Sequence, residues 1–207
     1  MIEIALCIGI IGFALVAIIG VLPTGLKVQR DNREETIINH DAQFILNAIR
    51  SGGTGPDLDV LARNFDQIDV PGTSYTAPGG PGPNYFYTGS NIVGLMSRPG
   101  GGTTNYVRAF SGVLASQGTN PSARDLAFKY RISTDIDPIW VLVPKPGGGT
   151  RRATNSYEVR MRFRWPLLPN GSTGEGNKMF RTLVAARLDN NPPGSDQWFF
   201  TPQLFLP

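Results

Sequence analysis

Apolar and polar positions divide the chain into two regimes. From Ile4 to Leu26, twenty-three consecutive positions carry no charge, and a single acid, Glu3, precedes them. At ~1.5 Å per residue this stretch measures ~35 Å as a helix, longer than the ~30 Å hydrocarbon core of a bilayer. The pattern predicts a membrane span over residues 2–26. A cleaved secretory signal would begin with Lys or Arg, carry a shorter apolar region and end in a small-residue cleavage site. Beyond Lys27 the period stays helical: Ile37, Asp41, Phe44, Ile45, Ala48 and Ile49 share one face, while Asn47 lies off it. This amphipathic half, residues 27–52, is expected to end at Ser51-Gly52-Gly53-Thr54-Gly55-Pro56, where glycine entropy and the missing proline donor stop the ladder. Residues 1–52 are thus predicted to form one spine helix ~75 Å long.

From residue 57 to 207 the pattern changes to short ordered runs separated by glycine and proline. The separators include Pro71-Gly72, the stretch Pro78 to Pro83, Pro99 to Gly102, Pro144 to Gly149 and Pro192 to Gly194. The clearest strand runs from Tyr157 to Trp165. In it Tyr157, Val159, Met161, Phe163 and Trp165 alternate with Glu158, Arg160, Arg162 and Arg164, the period of two that a half-covered sheet requires. Past the turn residues Pro169-Asn170-Gly171-Ser172, the segment Phe180 to Leu188 is predicted to be its antiparallel partner. Asp125 to Ile132 and Ile139 to Val143 are expected as two further strands, Asp137-Pro138 as a turn between them, and Leu58 to Phe65 as a short helix. The predicted class is α+β: a long N-terminal apolar helix packed on a C-terminal antiparallel β-sheet domain of four or more strands.

Ile2-Glu3-Ile4-Ala5-Leu6, followed by Gly9-Ile10-Ile11-Gly12 and Ala14 to Ile19, resembles the N-terminal segment of type IV pilins and of the pseudopilins of type II secretion. The resemblance covers about fifty of the 207 residues. Members of that family carry the glutamate fifth at the mature start, two places later than Glu3 here. The resemblance therefore implies either two further residues before Ile2 or a start assigned at the wrong methionine, and a basic leader ending in glycine, removed by a prepilin peptidase. It also implies a pilin-like fold, the pilus assembly machinery as a partner, and pairing of Glu3 with a neighbouring subunit's N-terminal amine to set axial register. Such a leader would explain an orientation that the chain alone contradicts, since Lys27, Arg30 and Arg33 on the C-terminal side of the span would otherwise hold the head in the cytoplasm.

The span carries its own signals for helix packing. Ala5, Gly9, Gly12, Ala17 and Gly20 reduce side-chain bulk, and Ala5-Gly9 is a small-xxx-small step that permits close approach of helices in lipid. Glycine is also commoner in membrane helices in general. Pro23, between Gly20 and Gly25, is the weakest point of the spine, because proline in a helix interior costs ~3 kcal/mol and glycine ~1 kcal/mol relative to alanine. A kink or local unwinding over roughly residues 16–25 is expected on assembly.

Charge and chemistry narrow the function further. The net charge is +3, and the helix after the span balances four basic against four acidic residues, so the excess lies in the C-terminal domain. Arg160, Arg162 and Arg164 are read first as the solvated face of a strand and second as a basic stripe for DNA or acidic polysaccharide; no specific nucleic-acid partner is expected. One histidine, His40, and one cysteine, Cys7, do not suffice for a Cys-His dyad or a multi-ligand zinc site, so no enzyme, metal or cofactor is predicted. Gly171 to Lys178 lacks the Gly-Lys-Ser/Thr ending of a phosphate loop. Asp135 and Asp137 could join a calcium site but fit a turn better. A single cysteine excludes an intramolecular disulfide, and Asn170-Gly171-Ser172 is a candidate glycosylation acceptor, with the Thr73 to Thr76 loop another possible site.

These readings converge on a structural subunit of a type IV pilus-like filament. It would be a helical homopolymer, held in the bacterial inner membrane before assembly and at the cell surface afterwards. A minor pilin or a periplasmic pseudopilin is the nearest alternative. A monomeric membrane-anchored ligand-binding protein is the alternative from another class.

Overall fold

The computed structural model describes residues 2–55, 57–111 and 127–201. Its first element is helix α1, Ile2–Arg50, continuous through Pro23. The chain divides into two compact units, residues 1–39 and 40–207, so the boundary falls inside α1 rather than at its end.

In the first unit every side chain from Ile2 to Arg33 is exposed. The second unit begins with the last turns of α1, which end as the glycine cluster predicts. Gly52 and Gly53 both have positive φ, and their N–H groups donate to the Ile49 and Ala48 carbonyls at 3.0 Å each, closing the last turn. A Cβ at Gly52 would also collide with the Phe200 carbonyl oxygen.

The chain continues through α2 (Asp59–Asn64), β1 (Phe65–Val70), β2 (Thr73–Thr76), α3 (Gly89–Met96) and β3 (Thr103–Arg108). Three long strands follow, β4 (Lys129–Pro144), β5 (Thr150–Leu167) and β6 (Thr173–Ala185), then the short pair β7 (Arg187–Asn190) and β8 (Trp198–Thr201). Six strands form one antiparallel sheet in the order β2-β1-β3-β4-β5-β6, and β7-β8 form a second, two-stranded sheet.

The alternation expected over Tyr157–Trp165 sets the sheet's two faces. Tyr157, Val159, Met161, Phe163 and Trp165 are buried, together with Ile132 and Ile136 of β4 and Val184 of β6. The C-terminal turns of α1 lie against this inner face, bringing Ala42, Ile45, Leu46, Ala48 and Ile49 into the core. Tyr130 and Phe163 pack with ring centroids 5.6 Å apart, and Phe163 meets Phe180 edge-on at 5.3 Å. At the helix, Phe44 meets Phe110 edge-on at 5.4 Å. Helix α3 buries Ile92, Val93, Leu95 and Met96; Thr88 caps it by accepting from the Asn91 N–H, and the Asn91 side chain accepts from the Thr88 N–H in return.

Several expectations are corrected. Ile139 to Val143 is not a separate strand, and Asp137-Pro138 is not a turn: both lie within β4. Proline is tolerated there because β3 covers β4 only as far as Thr134, leaving that edge of β4 unpaired at Pro138. Of the Asp125 to Ile132 segment, Asp125 and Leu126 lie outside the described residues, and β4 begins at Lys129. Phe180 to Leu188 is not one strand, because β6 ends at Ala185 and Leu188 belongs to β7. Thr73 to Thr76 is strand β2 rather than loop. Helix α2 bears out the short helix expected at residues 58–65.

Candidate assembly surface

Among the described residues, most of the exposed large apolar side chains lie on helix α1. Fifteen large apolar side chains between Ile2 and Val28 are exposed, Ile4 at 66% and Phe13 at 79%. By length and composition this one helix can cross a membrane, and none of its most apolar window is buried. Covering a large apolar side chain is worth ~1.5–3 kcal/mol, so this surface amounts to tens of kcal/mol when sheltered by lipid or by other helices.

The candidate assembly residues have a definite arrangement on it. Glu3 lies in the first turn and is exposed. At ~100° per residue, Ala5, Gly9, Gly12, Gly20 and Pro23 fall within an arc of ~80°. Val16 interrupts this stripe, whereas Ala17 and Gly25 fall outside it. A Cβ built on Gly9, Gly12 or Gly20 would meet nothing within 4 Å, so these glycines are not required by packing inside the chain. Small residues of this kind permit the close approach of another helix or of lipid. Cys7 is exposed on the same span, and His40 is exposed at the start of the second unit.

Below the span, α1 is fixed to the sheet by a group that hydrophobic patterning placed on the right face without assigning it a task. Asp41 is fully buried. Its carboxylate accepts from the Tyr130 hydroxyl at 2.7 Å and from the backbone N–H groups of Ser111 at 3.0 Å and Phe110 at 3.3 Å. Burial raises its pKa above the ordinary carboxylate value, against the opposing effect of these hydrogen bonds. Burial, and then the nearby Asp41, push the Tyr130 phenol well above its usual range. Farther along the helix, Arg50 donates to the Thr182 hydroxyl on β6.

The other candidate positions occupy the second unit. Asn170 is in the exposed β5–β6 turn, where its side-chain oxygen accepts from the Ser172 N–H at 3.0 Å and hydroxyl at 2.7 Å, so the tripeptide is a local turn device. The segment from Gly171 to Lys178 enters strand β6, not a helix. Asp137 is paired with Arg160, and among the described residues no group of three or more His, Cys, Asp or Glu side chains is placed to hold a metal ion. The glycine tracts at 79–82, 100–102 and 147–149 are mostly exposed.

No family model matches the chain, and no curated protein or solved structure shows significant similarity to it.

Proposed function

We propose that the protein is the structural subunit of a type IV pilus-like filament, inserted through residues 2–26 and then polymerised through the same helix. The observation that carries this reading is the uncovered apolar length of α1, with Ala5, Gly9, Gly12 and Gly20 on one side of it. Such a surface needs lipid before assembly and a bundle of like helices afterwards, because water would expose fifteen large apolar side chains at once. The resemblance of residues 2–19 to pilins supports the same choice and gives Glu3 its role: a carboxylate inside hydrocarbon costs ~2.5–3.5 kcal/mol unless paired. A minor pilin or a pseudopilin uses the same helix and differs in filament length and cellular position.

Electron micrographs of protein sheared or extracted from its native cells test the proposal. Thin filaments containing this chain, with α1 inside and the β-domains outside, are the expected result. A protein that remains monomeric in its native membrane, with residues 4–22 in contact with lipid alone, would overturn it in favour of a membrane-anchored binding protein.

A further inference from the structure

The outer face of the six-stranded sheet carries a cluster of arginines drawn from three strands. Arg131 of β4 stands directly opposite Arg164 of β5, and Arg160 of β5 directly opposite Arg181 of β6. Arg162, opposite Ser133 on β4, lies between these rows. Together with Asp135 and Met179 they line an open depression of ≈ 450 Å³, within the range of small-molecule sites. Like charges directly opposite one another oppose sheet pairing, so this face is arranged against the sheet's own stability.

Carboxylates answer only part of that charge. Arg160 pairs with Asp137, and Arg181 lies 3.9 Å from Glu158. Arg131, Arg162 and Arg164 have no acidic partner among the described residues. The Nε of Arg160 is buried without a hydrogen-bond partner. Adjacent strands are ~4.8 Å apart and alternate residues of one strand ~6.8 Å apart, so the three unpaired arginines start from the corners of a small triangle and can converge on one group.

We propose that this depression binds a compact, soluble phosphate-bearing anion through Arg131, Arg162 and Arg164. A phosphate group offers up to two charges and three strong acceptor oxygens, which suit several guanidinium forks at once; a carboxylate offers one charge. The acids Asp135, Asp137 and Glu158 bound the opposite end of the face. They would repel an extended anionic surface such as a bilayer, while a compact anion can sit at the arginine end of the depression, away from Asp135 in its lining. Phe163 and Trp165 are buried on the other side of β5, so recognition here is by charge and hydrogen bonding rather than by stacking on those rings. The site stands independently of the filament reading.

Calorimetric titration of the full chain in a neutral detergent, at low and moderate salt, tests this with inorganic pyrophosphate as the probe. The expected result is saturable binding that weakens as salt rises and that exceeds acetate binding at least tenfold. The double variant Arg162→Gln, Arg164→Gln should weaken pyrophosphate binding at least tenfold, while Arg151→Gln, Arg152→Gln at the far end of the β4–β5 hairpin should change it less than twofold. Folding is checked by the thermal midpoint at low salt, which Arg164→Gln should hold or raise by removing a like charge opposite Arg131. Equal affinity for acetate and pyrophosphate, equal losses in both double variants, or binding only to phosphatidylglycerol vesicles would each overturn the proposal.

Discussion

Single residues separate stability from assembly. Replacing Asp41 by alanine removes the acceptor of the buried Tyr130 hydroxyl and of the part-buried Phe110 and Ser111 N–H groups, which is expected to cost about 2–4 kcal/mol in the denaturant unfolding of the C-terminal unit. Because the folded-state pKa of Asp41 is raised, the native state holds a proton that the unfolded chain has already lost just above the ordinary carboxylate range. The associated stability is complete below the unfolded value and is lost as pH rises through the folded one. The stability of wild type relative to Asp41→Asn should therefore decline with rising pH in that window, and parallel pH profiles would show that the carboxyl does not titrate there. Glu3→Ala acts differently. It should leave membrane insertion and the fold of residues 57–207 intact while lowering filament yield, and wild-type filament numbers would show that this charge does not govern register.

Two elements carry conflicts between local preference and context. Helix α1 passes through Pro23 without a break in the single chain, as a bilayer would favour, since carbonyls freed by a gap would lack partners in hydrocarbon. In a filament, neighbouring helices can pack around an opened stretch, and residues 16–25 are expected to kink or unwind; a filament map with unbroken α-helical hydrogen bonds from Ile10 through Gln29 would exclude this. The β4–β5 hairpin presents the other conflict. Beyond Ser156 neither β3 nor β6 flanks it, and Trp140 and Leu142 are 57% and 69% exposed on a two-stranded ribbon of a kind that is marginal alone in water. Trp140→Ser with Leu142→Ser should change unfolding stability by no more than about 0.5 kcal/mol, since neither side chain is in the core, yet reduce association between subunits. A loss of core stability instead would mean that the ribbon folds back onto its own domain.

At the scale of the whole molecule, a unit with a covered core is joined to a helix without one. Deleting residues 1–26 should abolish both membrane association and polymerisation while the remaining protein unfolds cooperatively with an unchanged midpoint. Hydrogen exchange gives a second measure: the exposed tracts at 79–82, 100–102 and 147–149 should gain protection on assembly, and equal protection in monomer and filament would remove them from the contacts between subunits.

The sequence by itself determined the elements whose periodicity is long and unambiguous. Twenty-three uncharged positions, a helical stripe ending in two glycines and the alternation through Tyr157 to Trp165 report burial directly, because each follows a repeat of the backbone itself. Where local signals competed, tertiary pairing decided. Pro138 reads as a turn until β3 is seen to stop short and release that edge of β4, and Leu188 reads as the end of β6 until β8 takes it into another sheet. The candidate sites divide the same way. The small residues of α1 were legible because they share one helix. Asp41 was visible only as a polar member of an apolar face, since its partners Phe110, Ser111 and Tyr130 come from distant parts of the chain. Three of the arginines on the outer face lie in one strand and could be read as a row. Arg131 and Arg181 join them only through the register of β4 and β6, because which residues stand opposite one another across strands is fixed by pairing and not by spacing along the chain.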